Sequence, residues 1–287
     1  MVERIEQVEV GDAGRLYALF RQCRREISNW WWVLPLAAVC VPCRIPPKRG
    51  LPRLGRRAVN VRLRTGVNIR CRLNEVYFLL EVFAMEVYDA PEIRWQRLRT
   101  IVDIGANIGA ASIWFTQRAS GASVLAVEPA RDTNERLRSN LARNELIGKV
   151  DVVRLAVGAD SGAGYLVSGE NSGVARTLTA PVAGAEVVEF AGLERVVAMA
   201  GGTVDLMKVD CEGGEYGFLT GAPLEVLGRI GAIIGEYHLA DEREQSRLFE
   251  HLESSGFRCR VMPDGIHGGL ELGTFVAWHE NWESSAD

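Results

Sequence analysis

The chain has 287 residues, of which 47% are apolar, and its formal net charge is −4. A chain of this size can bury one substantial core, so we expect one main domain with a smaller N-terminal part. The acidic balance argues against a general nucleic-acid-binding protein, and we expect no nucleic-acid partner.

Residues 1–99 are predicted to form an N-terminal arm that packs on the main domain. Residues 1–30 have an amphipathic helical pattern, with Leu16, Leu19 and Phe20 on one face. After a Trp-rich and Pro-rich linker, "AVNVRLRTGVNIRCRL" alternates apolar with basic residues around Thr65-Gly66, which predicts a β-hairpin. The following "EVYFLLEVFAMEVY" has the spacing of a helix.

The segment 27–74 contains no acidic residue, and it opens with the apolar "NWWWVLPLAAVCVPC". This apolar run of about 14 residues is interrupted by proline, whereas a membrane-spanning helix needs roughly 20 apolar residues. Its position behind several glutamates is also unlike a signal peptide. We expect an arm packed on the main domain in a cytoplasmic protein. A peripheral membrane contact and a protein interface stay open as alternatives.

The cysteines predict neither a zinc site nor a disulfide framework. Of the six, only Cys40 and Cys43 have a ligand-like C-x-x-C spacing, and no second pair or nearby histidine completes a site. Reduced thiols are therefore expected.

Residues 100–287 alternate apolar strands with amphipathic helices, which predicts a doubly wound α/β domain. The expected sheet is Rossmann-like, mostly parallel and seven-stranded. Its two final strands follow each other without a helix, so the last is expected to run antiparallel at or near an edge. An irregular excursion at 160–190 contains two short strands, "GYLVSG" and "EVVEF".

The first strand of this domain runs into a loop of small residues, "VDIGANIGAA" (102–111). It lacks the Gly-Lys-Ser/Thr ending that binds a triphosphate. It also lacks the middle glycine that lets a backbone approach the pyrophosphate of a dinucleotide. Asp103 would repel a pyrophosphate but could accept hydrogen bonds from an α-ammonium group. The loop therefore favours S-adenosylmethionine.

A second acid supports a ribose-containing cofactor. Glu128 ends the next strand about 20 residues beyond the loop, where a carboxylate can accept hydrogen bonds from both ribose hydroxyls. Taken alone, this feature fits NAD equally well.

The sequence resembles the FkbM-like family of S-adenosylmethionine-dependent methyltransferases from about Tyr88 to His238. The resemblance rests on "VDIGANIGAASIWF", "AVEP", "RSNLARN", "RLAVG", "MKVDCEGGE" and "IGEYH", in that order. It implies a class I methyltransferase fold and O-methylation of a sugar, polyketide or other natural-product hydroxyl. It also implies cofactor contacts: the methionine end at Asp103, Gly105, Asn107 and Gly109, the ribose at Glu128, the adenine at Ala156 and Val157, and a further contact at Tyr88.

Methylation of an alcohol requires loss of its proton, so a base or a metal is expected near the methyl group. "KVDCEGGE" places Lys208 and Asp210 on one face at a strand end, and "GEYH" does the same for Glu236 and His238. We favour His238 as general base, oriented by a carboxylate. In the alternative, Asp210, Glu236 and His238 bind Mg²⁺ or Mn²⁺.

The acceptor is expected to be a small molecule or a glycan, such as a sugar, a glycolipid or a secondary metabolite. Asn171 and Ser172, in the irregular excursion, are predicted to contact its hydroxyls, although an ordinary surface loop would have the same composition. Two other functions stay open: an NAD-linked oxidoreductase, which the loop disfavours, and a cofactor-binding protein without catalysis.

Overall fold

A computed structural model describes residues 2–4, 21, 24–31, 55–159, 161–168, 175–178, 184–211, 213–240, 242–267 and 270–279. The apolar linker from 32 to 54 and the predicted helical face of Leu16, Leu19 and Phe20 lie outside the described residues. Their roles therefore stay predictions.

The strands, numbered in chain order, are β1 (Val2–Arg4), β2 (Ala58–Arg62), β3 (Asn68–Arg72), β4 (Thr100–Ile104), β5 (Ser123–Val127), β6 (Val150–Val153), β7 (Ala156–Val157), β8 (Gly162–Ser168), β9 (Ala175–Leu178), β10 (Glu186–Ala191), β11 (Val204–Val209), β12 (Ile230–Ala240), β13 (Phe257–His267) and β14 (Leu270–His279). The helices with described bounds are α1 (Val76–Phe83), α2 (Ala110–Arg118), α3 (Arg131–Arg143), α4 (Leu193–Met199), α5 (Glu215–Thr220), α6 (Leu224–Leu227) and α7 (Glu242–Ser254).

The central sheet has the strand order β1-β13-β14-β12-β11-β4-β5-β6. The seven strands after residue 99 confirm the predicted doubly wound architecture. β4, β5, β6, β11 and β12 pair in parallel, and β14 runs antiparallel between β12 and β13, close to an edge as expected.

The helical prediction for residues 1–30 is wrong at its start. Residues 2–4 form β1, which satisfies the backbone groups that the edge of β13 would otherwise leave unpaired.

Side chains of the central strands alternate between two apolar clusters, one on each face of the sheet. Ile101 belongs to one cluster, and its neighbours Val102 and Ile104 belong to the other. The same alternation puts Leu206 in the first cluster and Met207 in the second. The polar side chains between these apolar positions, at 103 and 208, therefore share the first face.

Two small sheets accompany the central one. The predicted β-hairpin is confirmed, with β2 and β3 paired from Ala58–Arg72 to Arg62–Asn68. The irregular excursion contains both predicted short strands, β8 and β10, within a four-stranded sheet ordered β7-β10-β8-β9.

Residues before the central domain contribute to the core on the first face of the sheet. Ile27, Leu73 and Leu98 share an apolar cluster with Ile101 and Phe115. The predicted helix is confirmed as α1, which buries Val76, Leu79, Leu80, Val82 and Phe83. The boundary between 99 and 100 stays a prediction. No helix in the described part of the chain has the length and apolar character needed to cross a bilayer.

Candidate active site

A cavity of about 220 Å³ lies at the carboxyl ends of β4, β5 and β11, beside Glu236 of β12. This is the edge at which open α/β sheets bind ligands. The predicted strand end at "GEYH" is not observed, because β12 continues to Ala240, but Glu236 follows directly after the last β12 residue that pairs with β11. The lining residues come from the loop after β4, from Glu128, from β7, from the end of β11, from Glu236 and from α1. The cavity therefore brings together segments that are far apart in the sequence.

The loop after β4 needs its small residues for the shape of its backbone. Gly105, Asn107 and Gly109 all have positive φ, at 74°, 49° and 90°. A Cβ atom on Gly105 would lie 1.7 Å from the carbonyl oxygen of Asp210, so only glycine allows β4 and β11 to end this close together. The side-chain carbonyl oxygen of Asn107 is buried and has no hydrogen-bond partner among the described residues.

Glu128 follows β5 and accepts a hydrogen bond from this loop. Its Oε2 accepts a hydrogen bond from the backbone N–H of Asn107 at 3.0 Å, and its Oε1 accepts one from Ala130 at 2.9 Å. Burial raises the pKa of Glu128 to about 7, although the two backbone hydrogen bonds act in the opposite direction. Each carboxylate oxygen keeps a further lone pair that can accept a hydrogen bond from a ligand.

Lys208 and Asp103 form a buried ion pair. They are register partners on the adjacent strands β11 and β4, and their charged atoms lie 3.2 Å apart. Lys208 also donates to the carbonyl oxygen of Gly105 at 2.9 Å, and Ser112 donates to Asp103 at 2.6 Å. Burial alone would lower the pKa of Lys208, but nearby carboxylates, Asp103 first, raise it above its ordinary value. Lys208 is therefore a fixed cation.

Tyr88 connects two carboxylates at the acidic end of the cavity. Its hydroxyl lies 3.3 Å from Oδ2 of Asp210 and 3.1 Å from Oε1 of Glu236. The second oxygen of each carboxylate faces Nε2 of His238, at 3.7 Å in both cases. Burial, followed by the charges of Glu236 and Asp210, raises the pKa of Tyr88 well above its ordinary value, so the hydroxyl stays a donor.

Glu236 is the carboxyl in this group that titrates near neutral pH. Burial first, and then the charge of Asp210, raises the pKa of Glu236 to about 7. His238, Lys208 and the Tyr88 hydrogen bond act in the opposite direction.

His238 is held on its other side by Glu215. Oε1 of Glu215 accepts the backbone N–H of His238 at 2.9 Å and lies 3.2 Å from Nδ1 of its ring. The carboxylate that orients the histidine is thus Glu215, the first residue of α5, which the prediction for the site does not include. Asp210 and Glu236 lie on the opposite side of the ring.

Most of the predicted site residues meet in this region. Those lining the cavity are Tyr88, Gly105, Asn107, Glu128, Ala156, Val157, Lys208, Asp210 and Glu236. Asp103, Gly109 and His238 do not line its described part, and His238 lies behind Asp210 and Glu236, with Nε2 3.7 Å from each carboxylate. The Asp103 carboxylate is fully buried against Lys208 and Ser112, so an effect on a ligand would act through Lys208. Asn171 and Ser172 lie outside the described residues.

Sequence reasoning missed part of the cavity wall. Tyr77, Phe78 and Glu81 line the cavity from α1, where they share one side of the helix. The polar or aromatic residues at 77, 78 and 81, within an otherwise apolar helix, are a signal that could have indicated this wall.

Asp210, Glu236 and His238 are also placed to hold a cation. One ligand atom from each lies within 4.8 Å of the others. Two carboxylate oxygens and one imidazole nitrogen are a donor set that suits Mn²⁺ or Mg²⁺.

The sequence matches the profile of the Methyltransferase FkbM domain over residues 103–259, which is more than half of the chain. A curated relative, AMB antimetabolite synthetase AmbE from Pseudomonas aeruginosa, is 25% identical over 246 residues, covering 69% of this chain and 11% of that protein. The chain thus spans about a ninth of that relative's length.

Solved structures of methyltransferases also align with the chain, among them the following two. Methyltransferase FkbM from Methylobacillus flagellatus KT has 14% sequence identity and a TM-score of 0.48, and the match covers 72% of this chain and 54% of that one. A putative O-methyltransferase from Klebsiella pneumoniae has 13% identity and a TM-score of 0.41, with 95% and 92% covered. The chain spans about half the length of the first of these structures.

Proposed function

The chain belongs to the FkbM methyltransferase family, and we propose that it is an S-adenosylmethionine-dependent methyltransferase acting on a hydroxyl of a small molecule or glycan. The observation that carries this proposal is one continuous cavity with two chemically different ends. Gly105, Asn107 and Glu128 form the end suited to a cofactor. Asp210 and Glu236, with His238 behind them, form the end suited to proton removal.

The residues at the first end fit the proposed cofactor. The unpartnered oxygen of Asn107 can accept a hydrogen bond from an ammonium group, and the free lone pairs of Glu128 can accept two from ribose hydroxyls. Ala156 and Val157 offer a small apolar wall for adenine. When bound, S-adenosylmethionine supplies a methyl group on a sulfonium, which needs no further activation by the protein.

At the second end, His238 acts as the general base. Nε2 faces Asp210 and Glu236 from behind the cavity wall, so in this proposal the acceptor hydroxyl enters between the two carboxylates to give its proton to Nε2, and the carboxylates stabilise the resulting imidazolium. A histidine suits this step because its ordinary pKa of about 6.5 lies close to neutral pH.

A metal-assisted version of the same reaction is the alternative, favoured by the spacing of Asp210, Glu236 and His238. Mg²⁺ or Mn²⁺ held there would lower the pKa of the acceptor hydroxyl.

For the acceptor, we favour a secondary metabolite, because the relative AmbE is named as an antimetabolite synthetase. A sugar or glycolipid is the alternative, and a lipid-linked acceptor would agree with a membrane contact of the Trp-rich and Arg-rich segment 27–74. Sedimentation with liposomes, comparing the full chain with one lacking residues 32–54, tests that contact.

Two experiments test the proposal. Calorimetry should show binding of S-adenosylhomocysteine and none of NADH, and the reverse result would indicate an oxidoreductase. A screen of extracts with labelled S-adenosylmethionine should then identify an acceptor. With that acceptor, Asp210→Ala and His238→Ala should abolish methyl transfer but keep S-adenosylhomocysteine binding. An active double variant would exclude both the base and the metal version.

A further inference from the structure

Glu215 contacts His238 at two points, and both contacts use the same oxygen. Oε1 accepts the backbone N–H of His238 at 2.9 Å and lies 3.2 Å from ring Nδ1. The Glu215 side chain is fully buried, whereas that of His238 is 19% exposed. The ring is therefore anchored from the protein interior.

The other partners of Glu215 determine what its carboxylate can do. Oε2 accepts the backbone N–H of Gly213 at 2.9 Å and faces the thiol of Cys211 at 3.6 Å. Two backbone N–H groups and a thiol thus point at Glu215, so both of its oxygens serve as hydrogen-bond acceptors.

This arrangement decides which ring nitrogen carries the proton. An unprotonated Nδ1 would direct its lone pair at the Glu215 oxygen, and two acceptors would face each other in a buried site. A protonated Nδ1 gives a charge-assisted hydrogen bond instead. The second nitrogen, Nε2, is then left without a proton where it faces Asp210 and Glu236.

We propose that Glu215 is a positioning residue that fixes His238 in the Nδ1–H tautomer, so that Nε2 is the atom available for chemistry. The inference rests on the proposed function, because it assigns the reactive atom of that site. It holds for both versions of the reaction, since a general base and a metal ligand each need an unprotonated Nε2.

The side chains on the two sides of the ring compete for its proton. Glu215 is nearer than Asp210 and Glu236, at 3.2 Å against 3.7 Å, and a backbone hydrogen bond clamps its Oε1 in place. Removing Glu215 should therefore move the proton to Nε2, where two carboxylates can accept it. Nε2 would then carry a proton, and it could act neither as a base nor as a metal ligand.

The test is the nitrogen-15 spectrum of the histidine rings at about pH 9, well above the ordinary imidazole pKa of about 6.5. The His238 signals are assigned by their loss in His238→Asn. The wild type should show a protonated Nδ1 and an unprotonated Nε2. Glu215→Ala should show the opposite tautomer. Glu215→Gln should lose some stability, because its NH₂ group faces the N–H of Gly213, but it should keep the wild-type tautomer, because its amide oxygen can still accept both hydrogen bonds from His238.

His251 and His279 are internal controls, since their rings contact the carbonyl oxygens of Ala222 and Gly256 and not Glu215. Unchanged signals from these two rings show that a variant is folded. A wild-type His238 protonated on Nε2 overturns the inference, and this result does not depend on any variant. The same tautomer in Glu215→Ala as in the wild type also overturns it. Calorimetry with S-adenosylhomocysteine on the same samples reports on the proposed function separately.

Discussion

Replacing Lys208 with methionine should strongly destabilise the fold, because it leaves the Asp103 carboxylate charged and without its cation. The two groups are 2% and 0% exposed and their charged atoms lie 3.2 Å apart. Breaking a buried ion pair by removing one partner costs about 3–5 kcal/mol, most of it from the uncompensated charge. Methionine has nearly the same length as lysine, so little of the expected loss comes from packing. The free energy of unfolding in urea, followed by tryptophan fluorescence, measures it.

The double variant separates the charge from other causes. Asp103→Asn keeps the oxygen that accepts the Ser112 hydrogen bond and removes the charge. Combined with Lys208→Met, it should be more stable than Lys208→Met alone by about 2 kcal/mol or more, because no buried charge is left unpaired. Lys149→Met is the matched control, since this partly exposed lysine has one hydrogen bond among the described residues, to the carbonyl oxygen of Ser120, and its loss should cost less than about 0.5 kcal/mol. A loss below about 1 kcal/mol for Lys208→Met, or additive losses in the double variant, would show that the unpaired charge of Asp103 is not what destabilises the protein.

Three further outcomes are expected. Gly105→Ala should weaken S-adenosylhomocysteine binding and lower stability by more than the matched Gly148→Ala. Both glycines have positive φ, but of the two only Gly105 would place its new Cβ atom against the backbone, 1.7 Å from the carbonyl oxygen of Asp210; equal losses of stability would contradict this. Glu128→Gln should gain stability relative to wild type between about pH 4.5 and 7, by as much as about 3 kcal/mol. The reason is that the folded pKa of Glu128 lies above the unfolded one, so wild-type stability falls as pH rises through about 7; parallel denaturation curves at pH 5 and 8 would contradict it. Once the acceptor is identified, methyl transfer should be unchanged in the presence of EDTA. A loss of activity that Mn²⁺ restores would favour the metal-assisted version of the reaction instead.

The contacts that the sequence predicts well are those set by strand alternation. In "TIVDI" and "VDLMKV", every second residue faces one apolar cluster, so Asp103 and Lys208 fall on the same face before any packing is known. Parallel strands also end at a common edge, which brings Glu128 after β5 and Asp210 after β11 to one cavity, and Glu236 joins them from within β12, directly after the last β12 residue that pairs with β11.

The contacts that the sequence could not predict join strand ends to residues placed by packing. The resemblance implies a cofactor contact for Tyr88 but not its hydrogen bond to Glu236, 148 residues away, which forms because the segment after α1 packs on the same apolar cluster as the central strands. Glutamate is common in the first turn of a helix, so the sequence gives Glu215 no special role. Its contact with His238 becomes visible only when β12 is placed beside α5. Both roles depend on tertiary packing, which local pattern does not specify.

The balance of charge at the acidic end bears on the choice of cofactor. Among the described residues, the carboxylates of Asp103, Asp210, Glu215 and Glu236 surround the lysine ammonium of Lys208 and one imidazole. This excess of negative charge, part of it on the 27% and 32% exposed side chains of Asp210 and Glu236, makes the approach of a pyrophosphate unfavourable, because like charges repel. A ligand with a cationic centre offsets the same excess. The charges of these described residues therefore support the proposed sulfonium donor over a dinucleotide, independently of the glycine pattern in the loop.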